Sequence, residues 1–250
     1  MINIINIIYI CLIFTIKMTE KLINIECKDC SAYEKGILKS LEMNKLQELV
    51  SCKNSYSIKK GTIIFEEGDM LTGVYCIKEG VCKLTKLSLN GKNQIVRFVK
   101  KGDILGQYNI VGKQAANLTA TALKDMKICF IPKEQILTSF AENPNFSTEI
   151  IREMSAKLQK ADNIIVDLAQ KNVKQRLADT LLFLKETFGE DTQGYIDIQL
   201  SREEIANIVG TATESLIRML SEFSKNKYIE THCKYIKILD QAKLKRVSVG

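Results

Sequence analysis

At 250 residues, with 46% hydrophobic and 26% charged side chains, the chain has the composition of a folded globular protein, too apolar for disorder and long enough for two modest domains or one large one. Its 36 basic and 29 acidic residues leave a net charge of +7, which favours a polyanionic partner without naming it. Eight cysteines, at positions 11, 27, 30, 52, 76, 82, 129 and 233, lack the dense, regular spacing of a secreted disulfide scaffold, so a reducing, cytoplasmic setting is expected.

Residues 1–16 form an apolar run shorter than the roughly 20 residues of a membrane span, and Asn3 and Asn6 interrupt it. No basic segment precedes the run and no small-residue cleavage site follows, so neither membrane association nor export is expected. Met18 comes next, and the expectation is that translation starts there, residues 1–17 being an upstream start artefact. Cys27-Lys28-Asp29-Cys30 is the one close cysteine pair, a pattern open to redox, metal-binding or incidental readings.

From residue 55 to about 136, short β-prone runs are punctuated by Gly61, Gly68, Gly73, Gly80, Gly91, Gly102, Gly106 and Gly112, the pattern of an all-β unit. Stretches 62–65, 74–77 and 95–99 have strand length, and Asn90-Gly91 marks a hairpin turn. After Pro144 the period changes. Phe146, Ile150, Met154, Leu158, Ala161, Ile165 and Leu168 recur every three or four residues and predict a long amphipathic helix. The narrow seam approximates a heptad repeat, which points to the same helix of a second subunit, with packing on the β unit as the alternative. Val173, Leu177, Leu181, Leu184 and Phe188 mark a second helix, stopped by Gly189.

Ser201-Arg202-Glu203-Glu204 reads as a capping box opening a helix whose apolar face is Ile205, Ile208 and Val209. Gly210 breaks it, and Leu216, Met219, Leu220 and Phe223 define the buried face of a second helix, giving a helix-turn-helix. Thr213, Glu214, Ile217, Arg218 and Ser221 fall on the opposite face. There Arg can bond bidentately to guanine and Glu can accept from cytosine N4. Two structural alternatives are an ion pair between Glu214 and Arg218 and a further capping box from Thr211 to Glu214. Stretches 228–230 and 235–238 alternate like two strands around the polar turn Thr231-His232-Cys233-Lys234, a wing. Lys225, Lys227, Lys234 and Lys237 cluster near it, where they could neutralise phosphates. His232, the single histidine, reads as a turn residue.

With these parts in this order, the chain resembles the Crp/Fnr superfamily from about Cys27 to Asp240, closer to its oxygen-sensing fumarate and nitrate reduction branch than to its cyclic AMP receptor branch. The resemblance rests on Lys60-Gly61-Thr62-Ile63-Ile64-Phe65-Glu66-Glu67-Gly68-Asp69, Lys101-Gly102-Asp103-Ile104-Leu105-Gly106, Asn172-Val173-Lys174-Gln175-Arg176-Leu177-Ala178 and Thr213-Glu214-Ser215-Leu216-Ile217-Arg218. It implies an α+β chain: an N-terminal tail over 1–30, a cyclic-nucleotide-binding-type β-roll, or double-stranded jelly roll, over 31–143, a long dimerisation helix over 144–171, and a winged helix-turn-helix over 172–250. It further implies a cytoplasmic transcription regulator that binds double-stranded DNA as a homodimer, with RNA polymerase as partner and no membrane association. Thr213, Glu214, Ser215, Ile217, Arg218, Ser221 and Lys234 would meet the DNA.

Two departures qualify the resemblance. The effector pocket implied at Gly106, Gln107, Asn117 and Thr119 carries Gln107 and Asn117 where cyclic AMP binders have Glu and Arg. An amide cannot replace a guanidinium on a buried phosphate, so an effector other than cyclic AMP is expected. Cys27, Cys30 and Cys129 match three of the four thiolates that hold an iron-sulfur cluster in the oxygen-sensing branch, while the fourth position falls on Gly36. Cys52, Cys11 or Glu34 are substitutes among which spacing does not choose. A buried structural role for Cys129, a dithiol switch and a zinc site stay open. An enzyme is not expected, because the one histidine lies far from Cys27 and Cys30 and no other triad is present. The rival from another class is a sensor module that acts through a protein partner without DNA.

Overall fold

The computed structural model describes residues 36–51, 53–88, 91 and 93–250, so Cys11, Cys27, Cys30, Glu34, Cys52 and Asn90 lie outside the described residues. The chain divides into two compact units, one built from the chain up to Leu87 with Val96–Ala156, the other from Ser88–Ile95 with Lys157–Gly250.

The glycine-punctuated region folds as two four-stranded sheets. In one, β1 (Asn54–Ile58), β8 (Met126–Pro132), β3 (Gly73–Glu79) and β6 (Ile104–Leu105) lie side by side; in the other, β2 (Ile63–Phe65), β7 (Thr119–Ala122), β4 (Val81–Leu87) and β5 (Asn93–Lys100). β8 runs antiparallel to both β1 and β3, and β7 to both β2 and β4. Side-chain alternation sorts each strand into two faces. Tyr75 of β3 meets Phe130 of β8 at 5.3 Å between ring centroids and stacks on Phe65 of the opposite sheet at 6.0 Å. The face of Tyr75, Ile77 and Phe130 therefore looks into the gap between the sheets. Val74, Cys76, Cys129 and Ile131, one residue out of phase, lie on the outer face. Gly73 leaves no room for a side chain between β3 and β8: an added Cβ would stand 2.3 Å from the Ile131 carbonyl oxygen.

Four helical segments accompany these strands: a 3-10 turn Ile37–Ser40, α1 (Met43–Ser51), α2 (Gln107–Val111) and α3 (Lys133–Glu142). Periodicity alone does not find them, since each spans three turns or fewer. α2 starts at Gly106, which holds the left-handed conformation (φ +88°) that a side chain would strain.

α4 (Pro144–Gln170) begins with Pro144 in its first turn and with the Asn143 side chain accepting from the Phe146 N–H at 3.0 Å. Its apolar residues do not form one continuous seam. Phe146 and Ile150 are completely buried in the roll core, whereas Met154, Leu158, Ile165 and Leu168 are 46–65% exposed. The partner of the first two is thus the roll of the same chain.

In the second unit, α5 (Val173–Phe188) is opened by a capping box between Asn172 and Gln175 and closed at Gly189 (φ +72°). α6 (Arg202–Val209), α7 (Thr213–Lys225), β9 (Ile229–His232), β10 (Tyr235–Ile238) and α8 (Gln241–Val249) follow, and α8 packs on α5. Leu177, Leu181, Val209, Leu216 and Phe223 are all at most 1% exposed and form the centre of this unit. Among the described residues no helix is long and apolar enough to cross a membrane.

Truncating Phe146 to Ala removes a ring with no exposure and should cost about 3–5 kcal/mol, whereas Leu158→Ala, on the exposed half of α4, should leave the roll's stability near wild type. Urea denaturation followed by circular dichroism separates them; equal losses would contradict the division of α4.

Candidate nucleic-acid interface

α6 and α7 are placed by their own chemistry. The Ser201 hydroxyl accepts from the Glu204 N–H at 3.1 Å, and the Glu204 carboxylate accepts from the Ser201 N–H at 2.8 Å. Gly210, left-handed at φ +70°, ends α6, and α7 starts three residues later. The cap residue of α7 is Ala212, without a side-chain bond, so the further capping box considered for Thr211 and Glu214 is not formed. Arg176 of α5 fixes the turn between the two helices. Its guanidinium donates to the carbonyls of Val209 at 2.9 Å and Gly210 at 3.2 Å, and to that of Lys171 at 2.7 Å. Lys174 adds an ion pair to Glu222 of α7 at 2.5 Å.

With Leu216, Leu220 and Phe223 buried, helical spacing puts Glu214, Ile217, Arg218 and Ser221 together on the exposed face, with Thr213 and Ser215 half-buried beside them. Ile217 is 47% exposed. No ion pair joins Glu214 to Arg218: the guanidinium donates instead to the Ser215 hydroxyl at 3.2 Å. The Ser221 hydroxyl donates to the Ile217 carbonyl at 2.9 Å. Glu214 in the first turn and Lys225 in the last are both oriented favourably to the helix dipole.

β9 and β10 form the wing. β9 runs to His232, which pairs with Tyr235, so the turn is shorter than the four residues expected from sequence and His232 is a strand residue. Cys233, at φ +51°, and exposed Lys234 make the turn. Lys237 is engaged within the unit: it donates to the Gln193 carbonyl at 2.9 Å and lies over the Tyr195 ring at 5.8 Å. Tyr195 meets Tyr235 edge-on at 5.7 Å and donates to Glu230 at 2.7 Å, rooting the hairpin.

In the roll, the four pocket positions do not converge on one set of contacts. The Thr119 hydroxyl accepts from the Glu67 N–H at 3.0 Å, and Lys86 bonds both the Glu67 carboxylate and, at 3.2 Å, the Asn117 carbonyl. The ammonium of Lys86 holds the Glu67 carboxyl below the usual carboxylate range. Gln107, only 2% exposed, turns the other way and with Tyr108 faces Glu153 of α4, at 3.5 Å and 2.9 Å. Burial, then the Glu153 carboxylate, pushes the Tyr108 phenol well above its ordinary pKa, so it stays a donor.

Cys129 lies on the outer face of β8, buried, with its sulfur 3.5 Å from the Ser55 hydroxyl. Cys27 and Cys30 lie outside the described residues. Among the described residues no group of three or more His, Cys, Asp or Glu is placed to hold a metal ion.

Arg176, Lys174 and Glu153 carry structural duties that sequence reading did not assign. Their contacts are long-range, and the local pattern around each is that of an ordinary helix surface. Arg176→Ala should destabilise the unit by about 2 kcal/mol, because charge-assisted bonds to three carbonyls are lost and water replaces only part of them. A thermal melt of the full chain reads this out, and an unchanged melting temperature would remove the clamp role.

The chain matches the family described as cyclic nucleotide-binding domain over residues 56–143 and the Crp-like helix-turn-helix domain over 175–247. It is 31% identical over 227 residues to the fumarate and nitrate reduction regulatory protein of Vibrio cholerae, covering 88% of this chain and 89% of that one. It is 28% identical to the transcriptional activator protein Anr of Pseudomonas protegens, covering 90% and 93% of the two chains. Among solved structures it is similar to a Crp/Fnr-family regulator from Eubacterium rectale, with a TM-score of 0.72, 21% identity and 86% and 98% of the two chains covered. FixK2 from Bradyrhizobium japonicum gives a TM-score of 0.70 at 20% identity, covering 79% of this chain and 98% of its own.

Proposed function

The chain belongs to the Crp/Fnr superfamily and is a DNA-binding transcription regulator, not an enzyme; from that premise we propose that it acts as a homodimer whose two α7 helices read the half-sites of a palindromic duplex in partnership with RNA polymerase. The observation that carries the reading is the exposed face of α7, where Glu214 and Arg218 stand side by side, unpaired with each other, on a helix whose preceding turn is held by Arg176 and whose Glu222 is paired with Lys174. Arg218 is suited to guanine O6 and N7, and Glu214 to cytosine N4. Thr213, Ser215, Ile217 and Ser221 flank them, and Lys234 in the wing turn meets a phosphate.

Dimerisation follows from α4. Met154, Leu158, Ile165 and Leu168 stay exposed on one helix, and Ala161 completes a spacing close to a heptad. A second copy of the same row covers it, and two recognition helices then meet half-sites about one DNA turn apart.

Control enters through the roll. The contacts around Thr119 are already made within the chain: Asn117 offers no cation and Lys86, the ammonium beside it, is already paired with the Glu67 carboxylate, so a cyclic AMP phosphate would have to compete with Glu67 for its charge-assisted partner. The cysteines favour a redox effector instead. Soft thiolate donors suit an iron-sulfur cluster, and Cys129, with a hydroxyl within reach of its sulfur, has the surroundings of a tuned ligand. Cys27, Cys30 and Cys129 would hold the cluster, which when bound supplies oxygen- and redox-sensitive chemistry. The chain's own part is to pass a change in the roll to α4, and Tyr108 and Gln107 bonding Glu153 supply the link.

Arg218→Ala should weaken binding to the preferred palindrome by about 1–3 kcal/mol in fluorescence anisotropy, while Lys234→Ala should weaken all sequences evenly and lower the salt slope by about one. Undiminished specific affinity in Arg218→Ala would reject the readout. Leu158→Asp should give a monomer in light scattering, with DNA affinity lost alongside; a dimer that persists would reject the α4 seam. Titration calorimetry should show no micromolar binding of cyclic AMP.

A further inference from the structure

Two residues, Lys171 and Asn172, join α4 to α5. Asn172 is held extended (φ −70°, ψ 168°) by the capping box that opens α5. The bend between the helices therefore falls on Lys171, and each of its polar groups is engaged. Its N–H donates to the Asp167 carbonyl at 2.9 Å, continuing α4. Its carbonyl accepts from the Arg176 guanidinium at 2.7 Å. Its ammonium bridges two carboxylates, Asp167 of α4 at 3.0 Å and Asp179 of α5 at 2.8 Å.

An isolated exposed ion pair contributes little, because two long side chains must be ordered for one attraction that water screens. Here one side chain, ordered once and 28% exposed, serves two carboxylates, and these belong to different helices. The bridge therefore acts on the angle between α4 and α5. The same joint reaches the helix-turn-helix, which forms one compact unit with the last turns of α4. Arg176, which holds the Lys171 carbonyl, also holds those of Val209 and Gly210, and a Cβ added at Gly210 would stand 3.5 Å from a methyl of Leu168 in the last turn of α4. α7 starts three residues beyond Gly210, so its direction relative to those last turns is set at this joint.

A dimer on a palindrome accepts only the half-site separations that its two recognition helices can meet, and a stiff joint narrows them. We infer that Lys171 is a positioning residue that, through Asp167 and Asp179, fixes the α4–α5 angle and thereby the half-site spacing this regulator accepts. This rests on the dimer reading given above. In this role Lys171 acts through the orientation of α7 and not through contact with DNA. The Lys174–Glu222 pair differs, since it joins α5 to α7 and does not cross the joint.

The test uses the full chain and a palindromic duplex enriched by wild type from a random pool, remade with one or two base pairs added to or removed from the spacer between its half-sites. Wild type should bind the enriched spacing best in fluorescence anisotropy. Lys171→Met, which keeps the stem and removes the ammonium, and Asp179→Asn should each lower the ratio of affinities between that spacing and its one-base-pair neighbours by about three- to fivefold. Affinity for a duplex with a single half-site should stay at the wild-type value, and Lys171→Arg and Lys174→Met should keep the wild-type ratio. Circular dichroism reports folding, and should one of the two variants fold poorly the other carries the test. If the folded variants bind all spacings in the wild-type ratio, whatever their melting temperatures, Lys171 is structural only and the inference is overturned while the dimer reading survives. If wild type enriches no palindrome, or binds all spacings alike, the dimer reading fails and this inference falls with it.

Discussion

The burial of Phe146 and Ile150 is the constraint on which the rest of the arrangement depends. Both side chains have no exposure, and they anchor the first turns of α4 in the roll. The apolar residues of α4 from Met154 onward are not absorbed by that core: Met154, Leu158, Ile165 and Leu168 are exposed. A long helix that is core at one end and apolar surface at the other requires something to cover the surface, and the near-heptad spacing of the exposed row matches it to a copy of itself.

Much of this was legible in the sequence because the local rules are strong. The capping box at Ser201 and the stops at Gly189 and Gly210 each depend on a few neighbouring residues and formed in the structure as read. The alternation and glycine spacing of the roll, and the buried face of α7, depend only on period. What was not legible involves choices that a period cannot make. The spacing of Phe146 and Ile150 is the same whether the covering surface is the roll or another subunit. The wing turn is shorter than the sequence pattern indicates because His232, polar and exposed, costs little at the edge of a two-stranded ribbon.

The contacts that organise the candidate site were hidden for a different reason: they join residues distant in sequence. Arg176 reaches the carbonyls at the end of α6 across 33 and 34 positions. Those carbonyls lose their helical partners where Gly210 breaks the helix, and a planar guanidinium can serve them together. Nothing near Arg176 distinguishes it from a solvated helix residue.

The cysteines also show why residue type alone does not assign chemistry. Cys82 is enclosed on a strand where desolvation disfavours the thiolate, and its proton is held across the physiological range. Cys129, also buried, differs in having the Ser55 hydroxyl 3.5 Å from its sulfur. A change on that outer sheet face need not travel far to matter. β3 and β8 belong to the core cluster that buries Phe146 and Ile150, and Glu153, one turn beyond Ile150 in the same helix, is bonded by Tyr108 and Gln107. Because a close-packed core cannot absorb a displaced side chain without moving its neighbours, the strands of the roll and the first turns of α4 share one packing constraint.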